Sequence, residues 1–296
     1  MSFANDTRAA LAQMFIKKEC CELSLLYGLL RFGTAFSPDG IELRTKCREV
    51  RDLAAMLLDK FFAVYGAGER EEHLIQNGFS IRLAPRDAAA IFSVFHASQS
   101  DPLSELDRVF HCPNCAATFL RGVFLSAGNL SSPDASYHLD LTVWDPAAAP
   151  ALAAFLEEQG VEPKHTHRAG VDVLYYKGSE RIEEFLTLIG ANKAVFSLMN
   201  EKILREVRNN VNRISNSEVA NLRRVADAAG EQLEAIRSLK ETGRLARLPK
   251  ELQTTAKKRL EYPEATLGEL AALHEPPLTK SGLNHRLKKL VEIAKQ

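Results

Sequence analysis

Residues 120–128 (LRGVFLSAG), within the apolar run FLRGVFLSAGNL, form the stretch of sequence that decides the fold. The apolar side chains recur at helical spacing, and Gly122 stands in the middle of the predicted helix. A second apolar helix, around 26–31, carries Gly28, which precedes Gly122 by 94 residues. Glycine allows two backbones to approach closely, so the sequence predicts that these two helices pack against each other at the centre of a domain.

The segments that follow the two helices repeat in the same order. Gly66 and Gly160, which are predicted to stop a helix in each copy, are again 94 residues apart. Each copy is predicted to contain helix, strand, helix, strand and helix in this order. After the first helix, the elements of the first copy are predicted at 40–45, 48–65, 79–83 and 86–95. Those of the second copy are predicted at 136–143, 147–159, 171–176 and 180–189. The sequence therefore predicts a duplicated α+β domain with repeats at about 20–95 and 114–190.

Composition indicates a folded chain of roughly two domains. The 296 residues are 46% hydrophobic and 26% charged, and 38 Lys and Arg balance 38 Asp and Glu. No run of about 18 apolar residues could span a bilayer, and the N-terminal residues do not resemble a secretion signal. Five cysteines are an odd count that fits a reducing compartment. We therefore expect a cytoplasmic protein with no membrane contact.

The balanced charge is unevenly distributed along the chain. Residues 206–296 hold 17 Lys and Arg against 12 Asp and Glu, a net charge of +5, and residues 1–205 hold 21 against 26, a net charge of −5. A local positive field attracts phosphate backbones even when the whole molecule is neutral. A solvated basic helix face is the alternative explanation, since many helices end in Lys and Arg.

The region after Gly190 is predicted to be mostly helical, with interruptions near Gly230, Gly243 and Pro249. The Asn-rich segment 208–221 (RNNVNRISNSEVAN) is interpreted as the junction between domains. Its amides are versatile hydrogen-bonding groups, so we expect contacts to DNA or a role in domain orientation for Arg208, Asn209, Asn212, Arg213 and Asn216.

The final residues have the pattern of an all-α helix-turn-helix domain. Thr266 and Glu269 predict a capping box, and Pro276 and Pro277 predict a break before a second helix that starts near Thr279. In such modules the N-terminal part of the second helix enters the major groove. We expect base contacts from Lys280, Ser281, Asn284 and His285, and phosphate contacts from Arg286, Lys288 and Lys289. The same helix packing also occurs in protein-binding modules.

Three motifs resemble the WhiA family of bacterial transcription regulators. They are FLRGVFLSAGNL, the Asn-rich segment and LTKSGLNHRLKKLVEIA at 278–294. The resemblance implies a LAGLIDADG homing-endonuclease-like domain at 1–205, a helix-turn-helix domain at 206–296, and a role in sporulation, cell division or chromosome segregation. It also implies double-stranded promoter DNA as partner, another transcription regulator or RNA polymerase as further partners, and a location at the nucleoid.

The resemblance also bears on catalysis. In a LAGLIDADG enzyme the penultimate residue of each nonamer is an acid, and the two acids bind the divalent metal that cleaves DNA. Here Ala127 and Gly33 occupy these positions, or Phe32 in the first copy if the register shifts by one, and Arg31 adds positive charge nearby. We therefore expect a DNA-binding scaffold without nuclease activity. The alternatives are a residual endonuclease that uses other acids, and a protein-interaction scaffold in cell division.

Other possible sites are weaker. Cys112 and Cys115 form a CxxC motif, but a zinc site needs two more ligands, and Cys20 and Cys21 are distant in the sequence. We therefore expect no metal and no cofactor, and we interpret the cysteines as small, at least partly buried thiols. His165 and His167 are interpreted as part of an exposed turn, with no carboxylate close by.

Overall fold

A computed structural model describes residues 2–66, 68, 70–95, 103 and 106–296 of the chain. The chain divides into two compact units, Met1–Arg205 and Glu206–Gln296. Among the described residues, no helix is both long enough and apolar enough to cross a membrane. Each unit has its own hydrophobic core, and each is described by itself.

The first unit contains two repeats of the same element order. The first repeat, preceded by α1 (Phe3–Ala12), comprises α2 (Glu19–Arg31), β1 (Ala35–Ser37), β2 (Gly40–Thr45), α3 (Arg48–Tyr65), β3 (Arg70–Ile75), β4 (Gly78–Leu83) and α4 (Pro85–Val94). After α5 (Leu106–Val109), the second comprises α6 (Cys115–Ala127), β5 (Gly128–Leu130), β6 (His138–Val143), α7 (Ala148–Glu158), β7 (Lys164–Arg168), β8 (Val171–Lys177) and α8 (Ser179–Leu188). The predicted duplicated α+β domain is confirmed.

Each repeat builds one antiparallel sheet of four strands. The strand orders are β1-β2-β4-β3 and β5-β6-β8-β7, so corresponding strands occupy corresponding places. Leu43 pairs with Ile81 in one sheet, and Leu141 pairs with Leu174 in the other. These four side chains are buried, because alternate residues of a strand face the same side of the sheet.

The two central helices, α2 and α6, run side by side in the same direction. A Cβ atom at Gly28 would overlap the carbonyl of Phe119 and lie 3.1 Å from the Val123 nitrogen. A Cβ atom at Gly122 would overlap the carbonyl of Leu25 and lie 2.8 Å from the Leu29 nitrogen. Both glycines are therefore required by the close approach of the backbones, as their matched positions in the sequence predicted.

The second unit is helical throughout its regular structure. Its elements are the later part of α9 (Asn192–Glu241), a short 3-10 helix (Arg244–Arg247), α10 (Lys250–Glu261), α11 (Leu267–Ala272) and α12 (Lys280–Lys295). Faces of four helices, α9 to α12, meet in its core, where the side chains are almost fully buried: Ile236, Leu239, Leu252, Ala256, Leu270, Leu283, Leu287 and Leu290. The predicted all-α domain is confirmed.

Two features of the fold differ from the expectations. The predicted interruption near Gly230 is wrong, because α9 continues through this residue as a helix of 50 residues. A single glycine weakens a helix by about 1 kcal/mol, which is too little to break a long one. The outer strands β1, β3, β5 and β7 were missed, because they are short or, like β3, exposed along most of their length and so lack buried alternation.

We expect Gly28→Ala to lower the free energy of unfolding by about 1 to 3 kcal/mol, since the new methyl group would push apart two backbones. Urea unfolding followed by far-UV circular dichroism measures the loss. Gly230→Ala is the matched control, because no described atom lies within 4 Å of a Cβ atom built there. The control should gain roughly 0.5 to 1 kcal/mol. Equal midpoints for Gly28→Ala and the unchanged chain would contradict the close approach.

Candidate functional site

The short helix α11 begins with the predicted capping box, which is confirmed. The Thr266 hydroxyl accepts a hydrogen bond from the Glu269 amide, and the Glu269 carboxylate accepts one from the Thr266 amide at 2.8 Å. The hydrogen bonds from the Thr266 amide and hydroxyl hold the pKa of Glu269 below its usual value. The carboxylate therefore stays charged at neutral pH and keeps the start of α11 in place.

The turn between α11 and α12 is fixed by contacts inside the second unit. The Leu278 amide donates a hydrogen bond to the Ala271 carbonyl at 3.0 Å. His274 is buried, with Nδ1 2.9 Å from the Leu270 carbonyl and Nε2 3.2 Å from the Thr255 hydroxyl of α10. These contacts hold the turn against α10, so the orientation of α12 is set by the core of this unit.

Helix α12 presents most of the predicted DNA-contacting residues on one side. The Thr279 hydroxyl caps the helix by accepting a hydrogen bond from the Gly282 amide at 3.1 Å. The side of the helix that carries Leu283 and Leu287 is buried. The polar side chains away from it are exposed or partly exposed: Lys280, Ser281, Asn284, His285, Lys288 and Lys289. Sequence spacing thus placed these six residues together on the side that faces away from the core.

Arg286 and Lys280 have contacts that the sequence did not indicate. Arg286 lies 3.0 Å from the Glu251 carboxylate of α10, and its side chain is 24% exposed. This ion pair ties α12 to α10, so a phosphate would have to compete with Glu251 for the guanidinium. The stem of Lys280 lies against the start of α11, where a Cβ atom at Gly268 would come within 2.8 Å of its Cε atom.

The Asn-rich segment is helical, and it lies in the part of α9 where the side chains from 206 to 228 are exposed. Asn212 and Arg213 are adjacent, and each lies three or four residues from both Asn209 and Asn216, so the four side chains share one face of the helix. Arg208 lies one residue earlier on the same helix and also contacts a neighbouring group. The structure therefore arranges the predicted junction residues as a polar stripe.

The C-terminal ends of α2 and α6 are flanked by guanidinium groups. Ala127 is the last residue of α6, and Gly33 follows α2. The Arg31 side chain is only 1% exposed and lies 2.7 Å from the Asp145 carboxylate of the second repeat. Arg8 of α1 donates a hydrogen bond to the Gly128 carbonyl, just beyond α6. Positive groups thus stand close to the two positions where a LAGLIDADG enzyme carries acids.

The cysteine pairs, which sequence distance had separated, come together in space. Cys20 and Cys21 lie in the first turn of α2, Cys115 is the first residue of α6, and Cys112 lies three residues before it. The Cys21 sulfur is 3.4 Å from that of Cys112, which is 3.6 Å from that of Cys115. Cysteines that are distant in the sequence are therefore neighbours in space, because α2 and α6 begin side by side.

The interpretation of His165 and His167 as an exposed turn is also wrong. Both lie on β7 and contact the Asp172 carboxylate of β8, at 2.8 and 3.2 Å. These hydrogen bonds hold the pKa of Asp172 below its usual value. The carboxylate was missed because cross-strand pairing between β7 and β8, which places Asp172 opposite His167, is a tertiary feature.

The fold and these sites define the class of protein. It is a two-unit protein in which a LAGLIDADG-type domain, lacking the acids of the endonuclease nonamer, precedes a helix-turn-helix domain. Comparison with protein families agrees with this description. Residues 116–208 match the WhiA LAGLIDADG-like domain, and residues 211–294 match the WhiA C-terminal HTH domain.

Full-length relatives identify the family. A probable cell division protein WhiA from Heliobacterium modesticaldum is 32% identical over 99% of this chain and 96% of its own length. One from Desulfitobacterium hafniense is 34% identical over 100% of this chain and 96% of its own length. The chain belongs to the WhiA family. The crystal structure of full-length DUF199/WhiA from Thermatoga maritima, 22% identical, matches with a TM-score of 0.59 over 100% of this chain and 98% of its own, which shows a shared fold.

We expect Asp145→Ala to cost about 1 to 3 kcal/mol, because it leaves the buried Arg31 charge without its partner while Asp145 itself is 37% exposed. Urea unfolding measures the loss. Adding Arg31→Leu, the residue that Leu125 supplies at the matching position of the second repeat, should recover most of it. Glu184→Ala breaks the exposed pair with Arg181 and should cost under about 0.5 kcal/mol. A double variant that is less stable than Asp145→Ala would contradict this account.

Proposed function

We propose that this chain is a sequence-specific DNA-binding transcription regulator of the WhiA type, which serves cell division, sporulation or chromosome segregation at the nucleoid. The observation that carries the proposal is the exposed polar side of α12, mounted on a buried core. A helix held in this way presents its first turns to the major groove without rearrangement. The net charge of +5 in 206–296 favours attraction to the phosphate backbone.

The side chains of α12 divide by the chemistry of the groups they would contact. Asn284 has an amide that pairs bidentately with adenine, and Lys280, Ser281 and His285 supply donors to base edges. Lys288 and Lys289 lie further along the helix and are exposed, which suits contacts to phosphate. Arg286 contributes mainly by orienting α12 through Glu251.

The polar stripe on α9 supplies a second set of DNA contacts. Amide side chains and Arg213 on one exposed helix face suit hydrogen bonds to phosphate and sugar, which fix register without reading sequence. Double-stranded promoter DNA is the proposed partner. Another transcription regulator or RNA polymerase is proposed as a protein partner for the first unit, whose net charge of −5 disfavours a strong independent grip on phosphate.

We further propose that the protein does not cleave DNA. Hard divalent cations require oxygen ligands, and neither Gly33 nor Ala127 has a side-chain oxygen. Arg8 stands beside the end of α6, and the Arg31 guanidinium engages the nearby Asp145 carboxylate, so a metal ion would have to compete with Arg31 for that acid. Supercoiled plasmid incubated with magnesium or manganese should therefore remain intact at protein concentrations that saturate binding. Metal-dependent nicking by the unchanged chain would overturn this part of the proposal.

We expect Asn284→Ala to weaken binding of a selected duplex by about 1 to 3 kcal/mol and to leave the affinity for random duplex nearly unchanged. Lys288→Ala should weaken both duplexes similarly and reduce the slope of affinity against salt by about one unit, since it removes one phosphate contact. Fluorescence anisotropy of the full-length chain at two salt concentrations measures both effects.

The matched control for these variants is Lys295→Ala on the same helix. Lys295 pairs with Glu231 at 2.8 Å, at the opposite end of α12 from the proposed reading residues. Its removal should leave DNA affinity and salt dependence nearly unchanged. Equal losses on selected and random duplexes for Asn284→Ala would contradict base reading by this residue. A full-length chain that binds neither duplex would instead favour a protein-interaction scaffold.

A further inference from the structure

Four cysteines from the two repeats form one cluster at the N-terminal ends of the central helices. They are Cys20, Cys21, Cys112 and Cys115, and their sulfur atoms all lie within 4.8 Å of one another. Cys21 and Cys115 are buried, and Cys20 and Cys112 are partly exposed. The cluster therefore has an inner pair held by the helix packing and an outer pair that an ion from solvent can reach.

The spacing of the sulfur atoms fits a single tetrahedral ion. Zinc bonded to four thiolates at about 2.3 Å places the sulfurs about 3.8 Å apart. The sulfur atoms are 3.4 Å apart for Cys21 and Cys112, 3.6 Å apart for Cys112 and Cys115, and at most 4.8 Å apart for every pair. Changes of up to about 1 Å in these separations, within the reach of cysteine rotamers, convert this arrangement into a tetrahedron.

The N-terminal ends of two helices lie at the cluster. The first backbone amides of a helix lack helical acceptors and carry partial positive charge, and α2 and α6 both begin there. Backbone donors of this kind support thiolate ligands around a metal ion.

The order of ligands in the sequence suits a closed structural site. One pair is adjacent and the other is a CxxC, so each pair comes from one repeat and one helix start. Four thiolates leave no open coordination position, which is the property of a structural zinc site. Thiolate sets of this geometry select zinc or iron over magnesium and calcium, which prefer oxygen.

We propose that Cys20, Cys21, Cys112 and Cys115 bind a single zinc ion that joins the start of α2 to the start of α6. The ion stabilises the pairing of the two repeats at the end of the helices opposite to Gly33 and Ala127. Its role is structural, because four thiolates leave no open coordination position on the ion. The binding free energy contributes to the folding of the first unit, since the unfolded chain does not preform the site.

Elemental analysis of the full-length protein, purified under reducing conditions without added chelator, tests the proposal. We expect one zinc ion per chain. Replacement by cobalt(II) should give the visible bands of tetrahedral cobalt together with intense thiolate-to-cobalt charge transfer. A strong chelator should release the zinc, expose four more thiols to alkylation, and lower the thermal midpoint of the first unit by roughly 5 °C.

Cys47 provides the matched control, because it is the fifth cysteine, is buried, and interacts with Glu49 outside the cluster. Cys47→Ala should keep one zinc ion, whereas Cys20→Ser and Cys112→Ser, at the two partly exposed positions, should lose it. The cobalt spectrum of the unchanged chain remains decisive if the variants fold poorly. Less than stoichiometric metal after reconstitution with zinc, a cobalt spectrum without thiolate charge transfer, or an iron–sulfur cluster would overturn the proposal.

Discussion

The close approach of α2 and α6 at Gly28 and Gly122 is the constraint on which the first unit depends. Each glycine lies against the backbone of the opposite helix, so each repeat completes the packing of the other. A single repeat would leave this apolar helix face exposed to water, which costs about 25 cal/mol for each Å². Pairing of the two repeats therefore buries this helix face, and the two sheets beside it have the same strand order.

The sequence predicted the elements whose signals are local. Strand β2 and helix α3 have the predicted bounds, since alternation and an apolar helical face are readable within a few residues. Strand β3 has five exposed positions out of six, so no periodicity marks it. The continuity of α9 through Gly230 was not predictable from a residue preference of about 1 kcal/mol, because summed hydrogen bonding along a long helix outweighs it.

Candidate sites that depend on local spacing were predicted from the sequence, whereas those that depend on tertiary contacts were not. Helical spacing alone placed the polar side of α12 opposite Leu283 and Leu287, because positions on one helix are fixed relative to one another. The Arg286–Glu251 pair and the cysteine cluster each join residues that are far apart in the chain. Such contacts depend on which helices become neighbours. The sequence did predict that the two repeats pair. Combining that pairing with the positions of the four cysteines would have predicted the cluster.

The parallel direction of α2 and α6 explains why the two ends of this helix pair carry different chemistry. Helix dipoles that point the same way reinforce each other, giving partial positive charge at the N-terminal ends and partial negative charge at the C-terminal ends. The four thiols lie at the N-terminal ends, and Arg8 and Arg31 lie at the C-terminal ends. In a cleaving enzyme, the acids add negative charge to the negative C-terminal ends, so a bound metal ion must compensate for that charge. Here the acids are absent and guanidinium groups lie at the same ends, so no metal ion is needed to stabilise them.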